Sequence, residues 1–354
     1  MPLSAKERVV LAFRHKEADR IPVYGEARNI GFIERMAGRK LAGTQAEMEL
    51  ITADACARAG VDLVRKLMVP RWDRVRAGAF EVQWDGYLNW KVGGDRLLSL
   101  EESVEFIKSL YDEKGFDPKQ AARRQLDEVN RIQGMLGERI LFMPTVSASC
   151  LEPMYHTAGF ENFSVIMYEN GQLIDEAIER NAERTLAMLE VILDEYDGPL
   201  VHCCDDLGMK GSTLLSPDWM RRHLFGRMKR VIDRVHAGGK YFGFHTCGNV
   251  TKIIPDLIEA GIDSLDPIEP TAGMDLAEVK RLYGERLVIM GNADANVIQM
   301  GSTDDARREV RRCLDSAARG GGYMLNGGIT QAAPAENVLA YFDEARRYTG
   351  WRRN

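Results

Sequence analysis

Beyond residue 198 the chain alternates short β-rich runs with helical stretches, and few folds accommodate that alternation. The runs GPLVHCCDD, KYFGFHTCG, GIDSLDPIE, RLVIMGNAD and GGYMLNGG are separated by segments such as PDWMRRHLFGRMKRVIDRVHAGG and TDDARREVRRCLDSAARGGG. Strand–helix alternation of this kind specifies a parallel sheet with helices packed outside it. Upstream, DRIPVYGEA, GVDLVRKLMV and ERILFMPTVSA supply three more strands. The total is then eight, the number that closes a (β/α)8 TIM-type barrel. An open doubly wound sheet is the alternative. It would normally carry a glycine-rich turn after a strand, and no G-x-G-x-x-G follows any of these runs. The 354 residues, 45% hydrophobic and 28% charged, suffice for one large barrel core. The expected organisation is one barrel domain over 1–354 with an insertion at about 70–137, between strands two and three. There FEVQWDGYLNWKVGG alternates around an Asp-Gly turn as a hairpin does, followed by helical sequence over 101–137.

Charge and composition exclude several classes of function. With a net charge of −6 and no long run of lysine and arginine, the chain lacks the basic stripe of a backbone-driven nucleic-acid binder. The opening MPLSAKERVVLAFRHKEADRIP is an amphipathic helix whose charges interrupt every apolar run, unlike a signal peptide. No stretch approaches the roughly 18 uninterrupted apolar residues of a spanning helix. A cytoplasmic location is therefore expected, with the six cysteines kept as thiols.

In a barrel the chemistry gathers at the C-terminal ends of the strands. Read in order, those ends carry Glu26, Arg65, Ser147, Cys203 to Asp206, His245 with Cys247, Asp266 with Glu269, Asn292 with Asp294, and Asn326. So many polar groups on one rim suit a cavity for a small molecule. His245 and Cys247 are two apart, so on a strand they point the same way, and imidazole with thiolate is a suitable pair for zinc. A third ligand must come from another strand end; without one, His245 is a hydrogen-bonding strand-end residue. In VHCCDDLG, alternation sends Cys203 and Asp205 one way and His202, Cys204 and Asp206 the other. Asp206 is expected to face the cavity, as a ligand or as the partner that orients His245, and the glycines of LGMKGST are expected to let the backbone approach a ligand. Trp72, Trp84, Tyr87 and Trp90 of the insertion form either a lid over the mouth or ordinary hairpin packing. His15, His223, His236 and Cys313 lie in charge-rich helical segments and carry no assigned function.

The ordered series DDLGMKGSTLLSPDWM, GFHTCGNVTKIIPDLIEAGIDSLDPIEPTAGMDLAEVKRLYGERLVIMGNADANVI and GGGYMLNGGITQAAPAENVLAYFDEARRYTG resembles the uroporphyrinogen decarboxylase superfamily. The N-terminal KERVVLAFRHKEADRIPV is similar to it as well. The resemblance covers nearly the whole chain, least over about 70–140, and implies a single (β/α)8 barrel. It also implies one of two activities: cofactor-free decarboxylation of a tetrapyrrole, or zinc-assisted methyl transfer from a corrinoid protein to a thiol. The arginine-rich segment that holds carboxylates in the decarboxylases is here YGEARNIGFIERM, which keeps only Arg28. Their acid after the next strand is missing from DLVRKLMVP, and their last-strand histidine falls at Gly327 in NGGI.

The methyltransferase branch fits better. Its His-x-Cys zinc pair is matched by His245 and Cys247, although its further cysteine falls near Gly327. A moved ligand would come from Cys203, Cys204, Asp205, Asp206 or Glu269. The expected function is methyl transfer between a corrinoid (cobalamin) on a partner protein and a small acceptor, with a zinc-bound thiolate as nucleophile. His245, Cys247 and Asp206 are expected to be catalytic, and His245, Cys247 and Cys204 to bind metal. Asp205, Glu269, Asn292, Asp294 and Asn326 are expected to contact cofactor. The alternatives are a carboxy-lyase acting on a carboxylated, possibly tetrapyrrole, substrate, and a non-catalytic barrel that binds a small ligand or a corrinoid.

Overall fold

Parallel pairing runs without a break around the centre of the molecule. In a computed structural model, which describes residues 2–77, 80–92, 98–110 and 115–352, Leu200–Cys204, Tyr241–His245, Ser264–Asp266, Val288–Ala293 and Tyr323–Gly327 form a five-stranded parallel sheet in chain order. Leu63–Val64 pairs in parallel with Leu141–Phe142. Three parallel bridges join the two sets: Val23 to Leu325, Tyr24 to Leu63, and Thr145 to His202. The ladder thus returns to its start through eight segments, the closed barrel expected of the alternation. Closure leaves no exposed edge, and helices cover the outside.

Side-chain alternation sorts each strand between two cores. Tyr24, Leu63, Leu141, Leu200, Met290 and Met324 meet inside the barrel. Val9, Ala12 and Phe13 of the helix Ala5–Phe13 join that cluster and plug its N-terminal end, with Phe13 stacked on Tyr241 at 4.8 Å between ring centroids. Val23, Val64, Phe142, Val201, Phe242, Phe244, Leu265 and Leu325 face the helical layer. Two residues beyond the inner apolar layer, the same faces carry Glu26, Arg65, His202 and Asn326, and His245 follows one layer higher, level with Cys204. The interior therefore turns polar toward the C-terminal mouth.

The insertion is larger than a hairpin. Arg74–Ala77, Phe80–Asp85 and Leu88–Lys91 make a three-stranded antiparallel sheet, followed by the helices Leu100–Leu110 and Pro118–Leu136. Gly86, at φ +65°, makes the two-residue turn between the second and third of these strands. Residues 78–79, 93–97 and 111–114 of the expected insertion lie outside the described residues. Tyr87 is buried and its hydroxyl donates to the Met68 carbonyl at 3.4 Å, whereas Trp72 and Trp90 are more than half exposed. Tyr87 and Leu88 reach the barrel mouth. Among the described residues no helix is long and apolar enough to cross a membrane.

Candidate functional site

His245 ends its strand with its Nδ1 2.6 Å from Oδ2 of Asp266 on the neighbouring strand. Its Nε2 lies 3.5 Å from Sγ of Cys247 and 3.9 Å from Oδ1 of Asp206. Asp206, His245 and Cys247 each present a ligand atom within 4.8 Å of the other two. Backbone contacts hold this arrangement. The Cys247 N–H donates to Asp206 Oδ1 at 2.7 Å, and the Asn249 N–H to the Met209 carbonyl at 2.9 Å. The hairpin formed by Gly208–Met209 and Ser212–Thr213 is pressed so closely on the Cys247–Asn249 turn that a Cβ on Gly208 would sit 2.6 Å from the Cys247 carbonyl oxygen. The glycine expected to admit a ligand to the backbone instead admits this turn.

Electrostatics set the state of each group. Burial alone would push the Asp266 carboxyl up, but His245 and His202 beside it hold it well below the usual carboxylate range. The Cys247 thiol is pushed well above its ordinary value by burial and by the carboxylates of Asp206 and Glu269. Without a cation it is therefore a neutral thiol at pH 7. The donor set fits zinc: nitrogen, sulfur and oxygen lie close enough to share one ion, and the histidine's other nitrogen is held by a carboxylate, one of the usual partners of a metal-binding histidine.

The remaining strand-end residues divide between the mouth and the scaffold. A cavity of about 470 Å³ opens above His245 and Cys247, walled by Glu26, Arg28, Arg65, Tyr87 and Asn326. Its size is ordinary for a small-molecule site. Arg65 stands 3.6 Å from Glu26, which also receives Arg28 at 2.7 Å. Cys204 stands beside Arg65 and is not part of the converging ligand group. The group that converges with His245 and Cys247 is instead Asp206, whose carboxylate accepts the Cys247 N–H. Asp205 is fully buried on the opposite side, accepting the backbone N–H groups of Leu151 at 2.9 Å and Glu152 at 2.6 Å. It caps the helix Leu151–Ala158 and does not reach the cavity.

Asn292 and Asp294 also turn out to be scaffold, contrary to their expected contact with cofactor. Asn292 donates to the Ile268 carbonyl and accepts from Arg312 at 2.8 Å in the helical layer. Asp294 caps the helix Ala295–Met300 through the Asn296 N–H. Glu269 ties the turn after His245, accepting from the Gly248 N–H at 2.7 Å and from the Thr271 hydroxyl. Cys203 is buried outside the barrel, where the Ala148 N–H approaches its sulfur at 3.3 Å. Ser147 bonds the Ser149 carbonyl.

Gly327 lines the cavity, and a Cβ there would lie 3.0 Å from the Ala293 side chain and 3.3 Å from the Tyr341 ring. Residue-level reading assigned no role to Asp266, although an acid closing the apolar run SLD was the available signal. It missed Tyr155 altogether: its hydroxyl donates to the Asp206 carbonyl at 3.0 Å, a contact between segments 51 residues apart.

Comparison with known proteins agrees with this architecture. The chain is 26% identical over 170 residues to the methylcobamide:CoM methyltransferase MtaA of Methanosarcina barkeri, covering 48% of this chain and 47% of that protein. It is 27% identical over 209 residues to a uroporphyrinogen decarboxylase of Cupriavidus necator, covering 54% and 52%. It thus spans about half the length of the curated relatives it matches. A methyltransferase from Methanosarcina mazei has the same fold, with a TM-score of 0.65 at 17% identity over 97% of this chain and 98% of that one. Residues 108–348 match the family described as uroporphyrinogen decarboxylase (URO-D). With more than half of the chain matched, and its motifs set around one barrel mouth, the protein belongs to the uroporphyrinogen decarboxylase family.

Proposed function

We propose that the protein is a zinc-dependent methyltransferase that moves a methyl group between a corrinoid on a partner protein and a small acceptor. One observation carries the reading: Asp206, His245 and Cys247 converge within 4.8 Å while Asp266 holds the far nitrogen of His245. Asp206, His245 and Cys247 would hold the ion. Zinc bound there would lower the pKa of a thiol acceptor and keep it deprotonated at neutral pH. The chain's own residues have separate tasks. Asp266 fixes the imidazole, Asp206 anchors Cys247 through its backbone, and the walls of the cavity orient the acceptor. The similarity to MtaA, named as a methylcobamide:CoM methyltransferase, supports methyl transfer.

A carboxy-lyase is the second reading. It is favoured by the decarboxylase relatives and by Arg28 and Arg65 in the cavity wall, which suit a carboxylated substrate. Purified protein supplied with zinc should hold about one zinc per chain, and Cys247→Ser or Asp206→Asn should lower that occupancy. With methylcobalamin and a thiol, or with a corrinoid protein, the zinc-loaded protein should demethylate the corrinoid, seen in its visible spectrum. Zinc-free protein after loading, or an unchanged spectrum across a thiol panel together with release of CO2 from a carboxylated substrate, would decide for the lyase.

A further inference from the structure

His202 is a fully buried imidazole in the middle of the barrel, one layer below the mouth, where an apolar side chain would be the ordinary choice. Its Nε2 lies 3.4 Å from Oδ1 of Asp266, and the other oxygen of that carboxylate is the one that meets His245. His202 Nδ1 is buried without a hydrogen-bond partner. The ring occupies a space left by Gly243 on the adjacent strand, where a Cβ would lie 3.2 Å from His202 Cδ2. A residue placed there only to fill volume would not need a nitrogen that goes unmatched.

We infer that His202 is a positioning residue, which fixes Asp266 and through it presents His245 Nε2 to the metal site. An ionised carboxylate only accepts hydrogen bonds, so each imidazole facing Asp266 must offer it an N–H. His202 gives its Nε2–H to Oδ1 and His245 gives its Nδ1–H to Oδ2. With Oδ1 engaged, the carboxylate cannot rotate away from His245. The lone pair of His245 then resides on Nε2, toward Cys247 and Asp206. Residues that orient a ligating histidine in this way affect metal affinity without touching the metal. Cys247 and Asp206 are bound to the outer turn, so the relay is the part of the site anchored in the barrel interior.

The consequence for metal binding rests on the zinc reading above, whereas the tautomer can be read without metal. In metal-free protein labelled with 15N-histidine, long-range 1H–15N correlation should show His245 protonated on Nδ1. His202→Phe, which keeps a ring, and His202→Met should both mix the His245 tautomers, whereas His202→Gln, which retains a donor, should preserve Nδ1–H. In chelator competition, Phe and Met should weaken zinc binding about 10- to 100-fold, as other losses of such partners do, and Gln should restore it. Circular dichroism identifies any variant that fails to fold, and the tautomer and affinity are read on those that do. An unchanged tautomer and unchanged affinity in a folded donor-free variant would reduce His202 to packing. Wild-type protein that binds no zinc but shows the expected tautomer response would overturn the zinc reading and leave His202 as the positioning residue.

Discussion

Adjacent carboxylates do opposite work in this molecule. Asp205 and Asp206 differ in sequence by one position, yet one seals a helix inside the scaffold and the other stands at the mouth. Asp205→Ala would strand the Leu151 and Glu152 N–H groups in a buried setting, at a cost of about 1–3 kcal/mol. Urea unfolding should show that loss. Asp206→Asn, with its side chain partly exposed, should leave the midpoint nearly unchanged while zinc occupancy falls. Alternation along the strand separates the two acids but does not say which points inward, because the strand ends at Cys204. The choice was made by their partners, the N-terminus of one helix and the Cys247 N–H, which lie 54 and 41 residues away.

Helices in this chain are readable as elements, while their attachments are not. The spacing of apolar residues and the N-terminal caps define them locally: Ser4 with Glu7, Thr44 with Glu47 and Ser302 with Asp305 are all complete capping boxes. What fastens each helix to its neighbours is tertiary. His236, in the last turn of Phe225–Ala237, places Nε2 2.8 Å from Asp263, whose same oxygen accepts the Phe242 N–H. The bond to Asp263 raises the His236 pKa, and burial opposes it. A raised folded-state pKa contributes stability that is fully present below the unfolded value of about 6.5 and is lost as pH rises through the folded value. His236→Gln should therefore lower Tm at pH 5.5 and much less at pH 8.5. The imidazole is about a third exposed, so the pH-dependent difference should stay below about 1 kcal/mol.

At the scale of the whole molecule, one buried acid ties the N-terminal segment to the barrel. Asp62 is fully buried and receives Arg20 at 2.6 Å, Arg8 at 3.2 Å and the Val23 N–H at 2.9 Å. It thereby joins the plug helix, the first strand segment and the start of the second. Asp62→Ala would leave two guanidinium groups without their shared acceptor at this buried site and should cost about 3–5 kcal/mol, measured by chemical unfolding. The eight strands were legible because alternation of period two and the intervening helical segments are local properties of the chain, and a parallel sheet of eight with covered faces has one economical closure. The His245–Cys247 pair stood out in the sequence as two ligand types at the end of an apolar run, but the strand stops at His245 and the turn after it sets the place of Cys247. Tertiary structure alone decided the third group of the site, the placing of Asn292 and Asp294 in the scaffold instead of at the mouth, and the His202–Asp266–His245 relay. Each depends on how neighbouring strands and loops stand against one another, and a periodic pattern within a single strand carries no record of its neighbours' register.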